Sequence, residues 1–226
     1  MIRFSSILFF LFIPLNASAI SQISGMWLLI GPGDESEIQL TEEGLRIQSE
    51  YNLLTDDPSL SCTPASASRI WANPGSRILI TQTQENVLIS YELFDLRREI
   101  PIGDESDLLE LPSTRNTQGS YFSEMGSSFA RYDSDKLIIK SENHSLGYIR
   151  TSRGIPQSET TETIEELNIE NNMLRVTHTY IDNELSDEPF VLNYFYRKID
   201  ETEIVPYECT EAVSYTHLTL PTKRIV

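Results

Sequence analysis

The chain has few of the residues on which redox, metal and nucleic-acid chemistry depend. It carries two cysteines, Cys62 and Cys209, and three histidines, His144, His178 and His217. Two cysteines cannot build a zinc site alone, and no His or Cys lies at ligand spacing from another, so metal catalysis by these residues is unsupported. Basic residues number 17 against 34 acidic ones. So strong an acidic excess repels phosphate backbones and anionic bilayer surfaces, which argues against nucleic-acid partners and stable membrane insertion. Beyond the first fifteen residues no apolar run approaches bilayer length. No internal repeat or low-complexity tract is present, and no helical period is sustained.

Both ends read differently from the middle. Arg3, the apolar run Ile7 to Leu15 and the small-residue site Ala17-Ser18-Ala19 have the order of a secretory signal peptide. Residues 1–19 are therefore expected to be removed, with no cofactor and no lipid-bearing Cys following. At the other end, Val213 to Thr222 is similar to a translated transposase-type sequencing adapter. Residues 213–226 are accordingly expected to be an artefactual tail, with the natural reading frame cut near Ala212. That sets aside His217, Lys223 and Arg224. Without Arg3, Lys223 and Arg224, 14 basic residues remain against 34 acidic ones in residues 20–212, a net charge of −20. Residues 20–212 read as a single β-rich domain, with 104–120 as a loop or inter-lobe connection.

What the middle does contain is alternation. Arg77 to Thr83 and Val87 to Phe94 flank one turn. Ser128 to Tyr132 and Lys136 to Ser141 flank Asp133-Ser134-Asp135. Thr161 to Leu167 and Met173 to Ile181 flank Glu170-Asn171-Asn172. These are three hairpins with turn residues that tolerate the required backbone. Met26 to Ile30, Arg98 to Ile102, Pro189 to Ile199 and Ile204 to Tyr207 are expected as further strands. Thr41 caps one short helix near 42–51, against which Gly44 and the Leu45/Ile47 alternation speak. The expected fold is all-β: an antiparallel meander forming a barrel or a sandwich.

Several spaced segments resemble a group of uncharacterised exported proteins of Gram-negative bacteria. They are Leu40-Thr41-Glu42-Glu43-Gly44, Asp57-Pro58, Cys62-Thr63-Pro64, Leu96-Arg97-Arg98, Gly126-Ser127-Ser128, Arg131 to Leu137, Gly154 to Ser158 and Tyr207-Glu208-Cys209. Tyr132, Ser134 and Lys136 depart from that group's Trp, Gly and Thr, and Gly103-Asp104-Glu105-Ser106 stands where it has a His-Pro. The resemblance implies export to the periplasm or exterior and a β-rich body, and no activity. A second resemblance is Gly25-Met26-Trp27, similar to the first-strand Gly-x-Trp of lipocalins. It implies that Trp27 closes one end of a barrel and that Arg197 packs on its ring as a cation–π partner; the alternative is an ordinary core tryptophan.

No catalytic set emerges. Gly126-Ser127-Ser128 lacks the second Gly of a nucleophile elbow. His178 shares a strand face with Val176 and Tyr180 and reads as packed; His144 reads as a loop residue. The acidic clusters at 34–37, 56–57, 104–107 and 182–188 match no calcium loop and read as solvated. Cys62 and Cys209 are expected to form one disulfide, two free buried thiols being the alternative. The function expected is non-enzymatic: a barrel binding a small apolar or lipid-like ligand in an apolar cavity of several hundred Å³. The alternative is a structural or interaction module of the cell envelope without a pocket.

Overall fold

Strands form where alternation is interrupted by residues able to turn the chain. Ser134 takes a φ of 59° between two strands, and Asn171 and Asn172 take 51° and 62°, the paired left-handed geometry of a two-residue hairpin. In a computed structural model, residues 23–211 are described, apart from residues 109 and 208; the expected signal segment and tail lie outside them.

The strands are β1 (Gly25–Glu35), β2 (Arg77–Gln82), β3 (Asn86–Tyr91), β4 (Leu96–Pro101), β5 (Thr114–Asn116), β6 (Ser127–Asp133), β7 (Lys136–Glu142), β8 (Gly147–Arg150), β9 (Ile155–Gln157), β10 (Glu162–Glu170), β11 (Met173–Ile181) and β12 (Phe190–Ile199). Ten of them form one sheet in the order β5-β4-β3-β2-β1-β12-β11-β10-β7-β6, and β8 pairs β9 separately. Every ladder is antiparallel. The fold is thus an all-β antiparallel meander of barrel-like form. Two five-stranded leaves, β1 to β5 and β6-β7-β10-β11-β12, join along the β1–β12 ladder. At the opposite side β4 and β6 meet through a single Ile102–Ala130 bridge. Gly103 N–H donates to Ala130 O at 2.8 Å, and Ser113 N–H to Gly126 O at 3.1 Å. This is a seam rather than a full ladder. Register shifts around Gly31 and Pro32 in β1 mark bulges, which accommodate a proline inside a strand.

Helix α1 (Glu42–Glu50) starts at Thr41, whose Oγ1 accepts the Gly44 N–H at 3.1 Å. Gly44, which weakened the helical reading, is required there. A Cβ at 44 would lie 2.3 Å from Leu185 O. The short α2 (Leu53–Asp56) and α3 (Ala67–Trp71) follow. No sequence signal marks α3, β5 or the β8–β9 hairpin, all of them short. Residues 104–120 hold a 3-10 turn and β5, which pairs with β4. Ile204 to Tyr207, expected as a strand, is irregular. There the chain returns to the turn after β3, where Tyr207 N–H donates to Asp95 Oδ1 at 2.9 Å and its ring meets Phe94 edge-on at 5.7 Å.

That return brings Cys209 to Cys62. The two form a disulfide with Cα atoms 5.9 Å apart, across 147 residues. A closed loop this long corresponds to about 5 kcal/mol of chain entropy as an upper bound, with about 2–4 kcal/mol typical of real bridges. The Cys62→Ser, Cys209→Ser double variant is expected to lose stability in that range in urea unfolding. A loss under about 1 kcal/mol would show that the bridge does not constrain the unfolded chain.

Candidate functional site

The barrel interior was the expected seat of a ligand, and side chains occupy it. On β4, Leu96, Arg98 and Ile100 point inward; on β10, Thr163, Glu165 and Leu167; on β11, Leu174, Val176, His178 and Tyr180. Arg98, Glu165 and His178 are each 0% exposed, as are Leu174, Val176, Leu192, Tyr194 and Tyr196. A surface with no access for a water-sized probe adjoins no water-sized void, so there is no apolar cavity at these residues. The physical reason is α3. Ser66 caps it, and Ser68 Oγ donates to Ile149 O on β8 at 2.6 Å. Its backbone is held by barrel tyrosines: Ser68 N–H donates to Tyr180 Oη at 3.0 Å, and the Tyr194 and Tyr196 hydroxyls donate to Ser68 O and Trp71 O. Trp71 fills the centre, edge-on to Tyr91 and Tyr196 at 5.5 and 5.8 Å.

Within this packing lies a charged network. Arg98 Nη1 stands 2.7 Å from Glu165 Oε2. Its Nη2 donates to Ser128 Oγ and Ser141 Oγ, both at 2.9 Å. Glu165 Oε1 accepts the Trp71 indole N–H at 2.5 Å. Burial pushes the Glu165 carboxyl up, but Arg98, His178 and the Trp71 hydrogen bond outweigh it and hold the pKa below the ordinary value. Arg98 is held above its ordinary value by Glu165 and Tyr91, against burial. His178 lies beside the pair, its Nδ1 4.0 Å from Glu165 Oε1, too far to be a hydrogen bond. Burial lowers its pKa to about 4, with Glu165 pulling upward and Arg98 downward. His144, in a loop as expected but buried, is likewise lowered to about 4 by burial, against its hydrogen bond with Thr161 O at 2.9 Å. Arg98, Glu165 and His178 thus lie fully buried within the packed core.

The barrel end around Trp27 differs from expectation in one residue. Trp27 is buried, and its indole N–H donates to Ile23 O at 2.8 Å. The cation over its ring is Lys198, Nζ 5.5 Å from the centroid. Strand parity decides this. Trp27 pairs with Lys198 and Arg197 with Leu28, so Arg197 lies on the opposite, outer face, where it is exposed.

One concave surface that remains open lies between α1 and the β8–β9 hairpin. It is a half-enclosed cleft of about 530 Å³, with apolar walls from Ile47, Pro58, Leu146, Tyr148, Pro156 and Leu185 and polar groups from Glu43, Arg46, Glu124, Gln157 and Glu184. Its volume falls in the range usual for small-molecule sites. Tyr148 is braced by the Tyr51 ring at 4.4 Å, and Gly154 at φ 61° leaves room for that ring where a Cβ would be 2.6 Å from it. Gln157 is 2% exposed. Its Nε2 donates to Glu124 O and Ser145 O, both at 3.1 Å, which fixes the amide's orientation. Its Oε1 is then buried with no donor. No sequence pattern pointed to this cleft, since its walls come from five separate segments.

Among the described residues no group of His, Cys, Asp and Glu is arranged to hold a metal ion, and no helix is long and apolar enough to cross a membrane. No protein-family model and no curated protein matches the chain. Solved structures similar to it include the wild-type fluorescent protein UnaG, at 15% identity and TM-score 0.39, covering 80% of this chain and 99% of that one. Another is a zebrafish ileal bile acid-binding protein complexed with cholic acid, at 12% and 0.39, covering 79% and 100%. A third is the REP1-NXSQ fatty acid transporter, at 10% and 0.39, covering 79% and 97%. Likeness at this level carries nothing over about function.

Proposed function

We propose that this is an exported, non-enzymatic protein that binds one small, largely apolar ligand in the cleft between α1 and β8–β9, outside the barrel axis. The observation that carries the reading is the cleft itself. Its walls are largely apolar, with a few polar side chains among them, as in small-molecule sites. A ligand seated there would cover Leu146, which is 69% exposed, and a hydrophobic side chain so exposed gains from being covered. The Cys62–Cys209 bridge supports export, because disulfides persist outside the reducing cytosol. The signal-like N-terminus supports it too.

The test uses Nile red, a neutral apolar dye. Saturable one-to-one binding with a fluorescence increase is expected. Leu146→Asp is expected to weaken it by about tenfold or more, the scale of losing one apolar contact and burying a charge. Leu54→Asp, at a residue 83% exposed and outside the cleft, is expected to change nothing. If Nile red does not saturate, or if Leu146→Asp binds it as the parent does, the ligand reading falls. The envelope interaction module would then stand in its place.

A further inference from the structure

We propose that mild acid opens the barrel locally at the β4–β6 seam, leaving the strand ladders intact, and that His144 and His178 are the two groups that drive the opening. The proposal is independent of the cleft reading. Three features of the structure meet at the seam.

The first is the thinness of that closure. Beside the Ile102–Ala130 bridge it holds the hydrogen bonds from Gly103 N–H to Ala130 O, Ser113 N–H to Gly126 O, Ser127 Oγ to Leu111 O and Ser128 N–H to Ser113 Oγ. The β1–β12 ladder, by contrast, pairs residues from Met26 to Glu35.

The second is where the histidines sit. A Cβ built on Gly126 would lie 2.8 Å from His144 Nε2, so the His144 ring rests against the residue that accepts the Ser113 N–H across the seam. His178 shares Glu165 with Arg98, its Nδ1 4.0 Å from Glu165 Oε1, and Arg98 is the side chain that reaches from β4 to Ser128 on β6. His144 Nε2 and both ring nitrogens of His178 are buried with no hydrogen-bond partner. No acceptor therefore stands ready for an added proton on either ring.

The third is charge. The titratable and charged groups acting on His178 are Glu165 on β10, Arg98 on β4, His144 after β7, Arg150 on β8 and, on its own strand, Tyr180. Those acting on His144 are Arg98, Glu165 and Asp182. Glu165 is already paired with Arg98. Asp182 already accepts from Thr161 Oγ1 and from the backbone N–H groups of Ser158, Glu184 and Leu185. A proton on either ring thus adds a cation to the dry interior near Arg98, with no carboxylate free to pair with it. Burial accordingly holds both rings neutral, with pKa values near 4. Water is what remains to stabilise the new charge, and at the seam few bonds have to break to admit it.

Hydrogen exchange of single amides, followed by NMR on the unmodified protein at pH 7 and pH 5 and corrected for intrinsic rates, reads the opening directly. The amides of Gly103, Ser113 and Ser128 are expected to be less protected than those of the β1–β12 ladder. Their exchange is expected to depend little on low urea, the mark of a local opening. From pH 7 to pH 5 their protection is expected to fall about 400-fold, about twentyfold for each ring that titrates near 4 when closed and near 6.5 when open. His144→Gln and His178→Gln are each expected to reduce that fall to about twentyfold. Seam amides with the same protection and urea dependence as the ladder amides overturn the local opening. Seam protection that does not change between pH 7 and pH 5 overturns the role of the histidines. A fall that stays at about 400-fold in either variant overturns the part given to that histidine.

Discussion

Replacing Arg98 by Met is expected to cost about 3–5 kcal/mol of folding stability, because it leaves the Glu165 carboxylate buried without its cation. Both side chains are 0% exposed, so water cannot enter to take over the charge, and the indole of Trp71 remains as the one hydrogen-bond donor to Oε1. Glu165→Leu alone is expected to fall in the same range for the mirror reason. The double variant Arg98→Met, Glu165→Leu removes both charges, and is expected to recover most of the loss, since apolar replacements of buried pairs are often close to neutral. Urea unfolding of the four proteins at pH 7 gives the coupling directly. Single variants that lose less than about 1 kcal/mol would mean that the pair is solvated in solution.

Acidification is expected to weaken the fold before the carboxylates are protonated. His144 and His178 are held neutral with pKa values near 4, against 6.5 for a free ring. Between those values the unfolded chain binds more protons than the folded one. The stabilisation is therefore fully present above pH 6.5, and it is lost as pH falls towards 4. Each histidine contributes about 3 kcal/mol over that interval. Glu165, held below its ordinary value, adds its own loss only at lower pH. Unfolding free energies measured from pH 7 to pH 4 should therefore fall steadily, and His178→Gln should flatten the slope by roughly one proton. A pH-independent stability across this range would contradict neutral, buried rings.

How much of this was legible in the sequence depends on what the residues had to signal. The three hairpins and the helix capped by Thr41 follow from alternation, turn residues and capping, which are local, and the Cys62–Cys209 bridge follows from a pair of cysteines in a chain that reads as exported. The interior charges were visible in principle. Arg98 sits in phase with Leu96 and Ile100, Glu165 with Leu167, and His178 with Val176 and Tyr180. Only the histidine was read that way, because an ionisable residue on an apolar face makes sense only once its partner on another strand is known. The expectation fell on Arg197 and missed Lys198 because nothing local sets the β1–β12 register, and a one-residue slip moves every side chain to the other face. The plug α3 is five residues long, too short for a helical period to appear. The cleft is a meeting of distant segments and has no pattern of its own.

The seam between β4 and β6 gives the molecule an unusual mechanical character. A ring of strands paired all the way round resists widening equally in every direction, because any expansion must tear a ladder. This one is a split ring. On one side the leaves share the long β1–β12 ladder, which can flex without parting. On the other they are held by a few backbone hydrogen bonds, by side-chain bonds such as that from Ser128 N–H to Ser113 Oγ, and by the Arg98 side chain, which crosses from β4 to Ser128 on β6, Ser141 on β7 and Glu165 on β10. Outward strain therefore loads a row of pins rather than a hinge, and the Arg98 guanidinium is the pin that reaches three strands.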